Sequence, residues 1–159
     1  MRQTPDFVLP NSDWEYPGTS GDSGNVVSSK DSENYLSFLK ILRNTLPSNA
    51  VITAATQVWP FAGPNGMPLS DVSEFAKVFD WILLMNYDVW GCKFSSHCVL
   101  KTTLTFLPLQ KASSTPGPNA PLDNGCRNST QPLANAVAAV KSWKDAGFPP
   151  EKITLGVPS

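Results

Sequence analysis

Charge is scarce in this 159-residue chain: Asp, Glu, Lys and Arg make up 16% of it, and 12 basic against 13 acidic residues leave a net charge of −1. Such a balance carries no basic field for nucleic acid and no acidic tail, and it suits neutral substrates. Cysteine is nearly as sparse. Cys92, Cys98 and Cys126 make an odd count without C-x-x-C spacing, which supports neither a zinc site nor a closed disulfide framework. His97 is the only histidine, so neither a metal nor any other cofactor is assigned. No apolar run approaches the roughly 18 residues that would span a bilayer. Met1-Arg2-Gln3-Thr4-Pro5 does not open like a secretory signal. Nucleic acid and membrane are therefore not expected as partners.

What is present is a pair of polar clusters set in apolar surroundings. Asp13-Trp14-Glu15-Tyr16-Pro17-Gly18 places two carboxylates two residues apart. At the end of a strand the period of two turns both to one face, where each perturbs the other's proton affinity and one can serve as a general acid. A lone D-x-E is more often a solvated turn, so the second cluster matters. Met85-Asn86-Tyr87-Asp88 follows Phe79-Asp80-Trp81-Ile82-Leu83-Leu84-Met85, which reads as a strand buried on both faces. Such strands occur in parallel sheets whose active sites gather beyond the carboxyl ends. Tyr87 and Asp88 would sit at that edge.

Between the clusters, the pattern predicts a helix over Asp31–Leu46, ended by Pro47, with Tyr35, Phe38, Leu39 and Leu42 on its core face. A strand over Val51–Thr56 and a short helix capped near Ser70 and running to Phe79 come next. Pro132 fits the first turn of a helix reaching Ala146 with Gly147 as its stop, and Lys152–Val157 closes the series as a strand. Trp81 and Trp143, the latter beside Val137 and Val140, read as structural. The β-α-β-α-β order is the α/β pattern of a parallel sheet.

These residues resemble the family-18 glycoside hydrolases, which include chitinases, endo-β-N-acetylglucosaminidases and inactive chitin-binding lectins. Asp13-Trp14-Glu15-Tyr16-Pro17-Gly18 is similar to the end of the family's fourth-strand signature, and Ile52-Thr53-Ala54-Ala55-Thr56 to its fifth strand. Met85-Asn86-Tyr87-Asp88 matches the sixth-strand motif and Ile153-Thr154-Leu155-Gly156-Val157-Pro158 the seventh, with fungal chitinases nearest in detail. The resemblance implies a partial (β/α)8 TIM barrel running from the end of strand four through strand seven. A complete barrel needs about 250 residues, so the 159-residue chain is expected to be inactive by itself. With its edge strands open it is also expected to be poorly soluble.

The function implied is retaining, substrate-assisted hydrolysis of β-1,4-linked N-acetylglucosamine in chitin, outside the two-carboxylate scheme. Glu15 would protonate the leaving oxygen, Asp13 would hold the acetamido N–H, Tyr87 would donate to the acetamido oxygen, and Asp88 would hydrogen-bond to the sugar or to Asp13. Tyr16, Met85, Asn86, Trp59 and Trp90 are the substrate-binding candidates, the two tryptophans by stacking on sugar rings. Met85 could equally be core, Asn86 a strand-end cap and Trp14 an internal packing residue. Chitin or N-acetylglucosamine oligosaccharides are the expected partners, and the complete protein is expected outside the cell. The sequon Asn128-Ser129-Thr130 acquires meaning in that setting.

The family's D-x-x-D-x-D-x-E signature is broken here, with Val8 and Asn11 at its first two acidic positions. Met1–Ser12 reads poorly as strand four, since Pro10 removes a ladder donor. Residues 92–113 interrupt the family pattern in the same way, and both segments are expected to derive from translated intron sequence, with a genuine loop insertion as the alternative. Two alternatives remain open: a non-catalytic chitin-binding lectin-like protein, which Val8 and Asn11 favour, and an endo-β-N-acetylglucosaminidase.

Overall fold

The computed structural model describes residues 10–19, 26–90, 117–127 and 129–158. Four strands form one parallel sheet in chain order: β1 (Asn11–Ser12), β2 (Thr53–Thr56), β3 (Trp81–Leu84) and β4 (Ile153–Leu155). Three helices link them: α1 (Asp31–Thr45), α2 (Ser73–Val78) and α3 (Ala136–Asp145). Thr53 is in register with both Asn11 and Trp81, and Ile82 with Ile153. Most of the segments read as atypical, 1–9 and 92–113, lie outside the described residues. Asn11 and Ser12 do pair as a strand. Pro10 stands just before it, where its missing N–H costs nothing and its carbonyl accepts from Thr53 N at 3.1 Å.

One face of the sheet carries the core. Ala54, Ile82 and Leu84 point toward the helices and are fully buried against Tyr35, Leu39, Phe75, Phe79, Trp143 and Phe148. The aromatic rings interlock, with Phe61 edge-on to both Tyr35 (5.6 Å) and Trp143 (5.1 Å). Residues of the opposite face are less covered. Trp81 is 38% exposed and Leu83 half-buried, so β3 alternates rather than being buried on both faces, and Trp81 is no core residue. In a sheet the period of two hands alternate residues to whatever covers each side, and here the described helices cover one.

Helix boundaries shift for identifiable reasons. In α1, Tyr35 and Leu39 are buried and Leu42 packs beside them, but Phe38 is 55% exposed because it falls off the edge of that stripe, next to exposed Ile41. The second helix begins at Ser73, not near Ser70, with Asp71 Oδ1 accepting from Ser73 N at 2.8 Å. The third begins at Ala136, not Pro132. Asn135 is its cap, accepting from Ala138 N at 2.9 Å, and an Asn cap outranks a first-turn proline as a start. Of its valines, Val140 packs on the core while Val137 is exposed. The last strand covers Ile153–Leu155, Lys152 belonging to a preceding 3-10 turn.

Two cations grip the carboxyl end of α2. Arg43 donates to Val78 O and Ala50 O, each at 2.6 Å, and to Asp80 Oδ2, which also takes Ile52 N at 2.7 Å. Lys152 Nζ donates to Ala76 O (2.8 Å) and Phe79 O (2.9 Å). Positive charge there satisfies orphan carbonyls and opposes the negative end of the helix dipole. The arrangement locks α1, α2 and the starts of β2 and β3 together.

Candidate active site

Because the sheet is parallel, the segments following β1 and β3 leave it at the same end. The register runs Asn11 to Thr53 to Trp81, so the Asp13–Tyr16 and Met85–Asp88 segments both emerge at that end, on either side of β2. The electrostatics agree. The Tyr16 hydroxyl is raised above its ordinary range, first by burial, then by the charge of Glu15 and a hydrogen bond with it, and further by Tyr87 and Asp88. A phenol surrounded in this way keeps its proton. Its hydroxyl lies within electrostatic reach of the acidic cluster after β1 and of the one after β3.

The acidic loop is pinned along its length. Asn11 Oδ1 accepts from Thr53 Oγ1 at 2.8 Å. Ser12 Oγ accepts from Tyr35 Oη at 2.6 Å, and burial pushes that phenol up to about 12 against the opposing pull of the Ser12 bond. Trp14 is not internal: it is 42% exposed and leans edge-on against Tyr35 at 5.2 Å. Beyond Glu15, Thr19 N donates to Tyr16 O (3.0 Å) and Gly18 N to Asp31 Oδ2 (3.2 Å). Gly18 has φ +80, and a Cβ there would lie 3.0 Å from Ala62 O. The turn therefore needs glycine.

After β3, Met85 N donates to Thr56 O at 2.9 Å, and the residue is half-buried. Asn86 is buried. Its Nδ2 holds Pro121 O at 3.1 Å, so it anchors the following loop instead of capping the strand. Tyr87 is half-buried, and Asp88 is exposed at φ +56. Trp90 borders a cavity of about 410 Å³ shared with Pro118, Asp123, Asn124 and Gln131, and Gly117 lies across its ring. Trp59 differs. At 5% exposure, within the core, it offers no face for a sugar and leaves the candidate set.

Gly156 belongs to the site although nothing but the seventh-strand motif marked it. Its N–H donates to Leu84 O at 2.8 Å, and a Cβ on it would meet that oxygen at 2.8 Å and Tyr87 Cε1 at 3.0 Å. Gly156→Ala is expected to cost about 2 kcal/mol as an overpacking change and to move the Tyr87 ring. Urea denaturation and the ring's proton resonances check both, and an unmoved ring would remove Gly156 from the site.

Family comparison settles what this arrangement belongs to. The model of the glycosyl hydrolases family 18 matches residues 11–159. The chain is a family-18 member. A chitinase-like effector of Moniliophthora roreri is 40% identical over 146 residues, 92% of this chain and 31% of that protein. A secreted chitinase of Penicillium expansum is 36% identical over 80 residues, 50% of this chain and 5% of its own length. The crystal structure of a chitinase from Rhizomucor miehei superposes with a TM-score of 0.75 at 31% identity, covering 93% of this chain and 36% of that one. This family-18 chain thus spans about a third of the length of its effector relative, and its fold is of the TIM-barrel α/β type, represented by part of the parallel sheet.

Proposed function

We propose that the barrel to which these elements belong hydrolyses the β-1,4 linkages of chitin with retention, and that the 159 residues alone hold the sugar without turning it over. What supports this reading is that the Asp13–Tyr16 and Met85–Asp88 segments follow strands of one parallel sheet at the same end, with Tyr16 feeling the charge of Glu15, Tyr87 and Asp88. Glu15 protonates the glycosidic oxygen as it leaves. The substrate's own acetamido carbonyl attacks the anomeric carbon, Asp13 holds its N–H and steadies the positive oxazolinium ion, and water that gives its proton back to Glu15 then opens the ion at the anomeric carbon with net retention. Tyr87 donates to the acetamido oxygen and fixes the attacking geometry. Tyr16, Met85 and Trp90 line the sugar, buried Asn86 holds the loop beneath it, and Asp88 bonds to it or to Asp13. The likeness to a secreted chitinase supports an extracellular setting.

Closing the barrel tests the reading. Residues 10–158 would replace the matched third of the Rhizomucor miehei chitinase, and hydrolysis of chitopentaose would be followed by mass spectrometry. Measurable cleavage with β-anomeric products is expected; a folded but inert chimera sinks it.

One observation favours a second reading, a chitin-binding protein without turnover. Asn11 is an amide held by Thr53 at the position where the family signature has an aspartate, and an amide cannot share a proton with Asp13. Asn11→Asp should therefore raise chimera turnover about tenfold or more. If binding is intact in the chimera and neither form cleaves, the binding reading replaces the hydrolytic one.

A further inference from the structure

We infer that Tyr35 of α1 is the positioning residue for the acid pair, a role that rests on the proposed parts of Asp13 and Glu15. Its hydroxyl bonds to Ser12, the residue before Asp13, and its ring supports Trp14, the residue after it. One side chain thus brackets Asp13 on both sides across 23 residues of sequence. Backbone freedom at Asp13 is what remains between two fixed neighbours, and Glu15 follows one residue later.

A buried phenol needs some partner, so the bond could serve merely to satisfy Tyr35. Two further facts argue for more. The ring cannot yield: it is 1% exposed and wedged among Phe61, Phe75 and Phe79 at 5.6, 6.1 and 6.2 Å. And the same end of α1 holds the far side of the loop. Asp31 takes Gly18 N, and Ser32 Oγ donates at 2.6 Å to Ala62 O, the oxygen against which Gly18 packs. The first turn of α1 and its Tyr35 therefore grip the acidic loop before Asp13, at Trp14 and beyond Tyr16. A rigid helix packed on the core transmits its placement to both carboxylates. Positioning by a supporting side chain of this kind governs rate, because small displacements of a reacting group cost large factors.

The test uses the full chain and needs no turnover. The side-chain carboxyl carbon resonances of Asp13 and Glu15 are recorded for Tyr35→Phe, Ser12→Ala and the double variant, with exposed Glu151 as the distant reference. Both single variants are expected to move the Asp13 and Glu15 resonances alike, the double variant no further, and Glu151 is expected to stay in place. Unmoved resonances, or single-variant shifts that add in the double, overturn the inference, the latter because each change would then act only on its own neighbours. Should Tyr35→Phe fail to fold, Ser12→Ala reads the same bond from its half-buried β1 side. An inert chimera refutes the hydrolytic reading and leaves this result standing; unmoved carboxylates refute the role of Tyr35 and leave hydrolysis standing.

Discussion

Glu15→Gln in the barrel-completed form is expected to lower chitopentaose turnover by about 10³-fold while leaving oligosaccharide affinity within a few-fold. The amide is isosteric with the acid and keeps its contact with Tyr16, the group on which the Glu15 charge and hydrogen bond act. What it lacks is a transferable proton. Because the attacking group belongs to the substrate, no second carboxylate can take over the acid's task, and the departing sugar must leave as a poor anionic leaving group. Interactions with the acetamido group are untouched, so binding survives. Steady-state kinetics and calorimetric titration on the same preparation separate the two quantities. If turnover persisted within tenfold, Glu15 would not be the acid; if affinity were lost along with rate, the variant would have reshaped the site.

Trp143→Ala carries the largest stability effect. Its ring is 0% exposed, meets Phe61 at 5.1 Å and Phe148 at 5.7 Å, and donates from Nε1 to Gln57 O at 3.2 Å. Truncating a buried Trp costs about 3 to 5 kcal/mol, and Gln57 O loses its donor in the interior as well. Whole domains hold only about 5 to 15 kcal/mol, so the variant should sit near half unfolded or beyond under mild denaturant. Trp81→Ala is the natural comparison. On the less covered face of the sheet, it should cost no more than about 1 kcal/mol. Equal midpoints for the two variants in urea denaturation would mean that the 38% exposure of Trp81 understates its packing.

These two tryptophans also show what was legible in the amino-acid order. Both look alike there, each among apolar neighbours, and only the covering of one sheet face separates them. Tyr35 and Leu39 could be placed on the buried stripe of α1 because a 15-residue helix repeats its period often enough. Phe38 could not, since one residue at the stripe's edge fits either side. The start of α3 was misread because Pro132 is a genuine first-turn signal, while the cap at Asn135 becomes evident only once Ala138 N is seen to take its side chain as partner. The acid cluster and the Met85–Asp88 cluster were readable as strand ends. Their meeting depends on register, which no short window contains. The bond from Tyr35 to Ser12 is of the same kind, a pairing across 23 residues that leaves no periodic trace. Trp59 was misplaced because a residue just after a strand can turn to the rim or to the core, and here Val58 and Phe61 draw the segment inward.

The strand order β1-β2-β3-β4 repeats the order of synthesis. Each strand therefore finds its pairing edge already made when it leaves the ribosome, and none has to wait for a later one to be inserted between itself and its neighbour. Among the described residues, the cation from Lys152 is the last to arrive at the end of α2, after that of Arg43. Growth of this kind is vectorial: a nascent chain halted after Asp88 already contains β1, β2, β3 and both clusters, though not the glycine that seats Tyr87, so the site can be laid down before the sheet is finished.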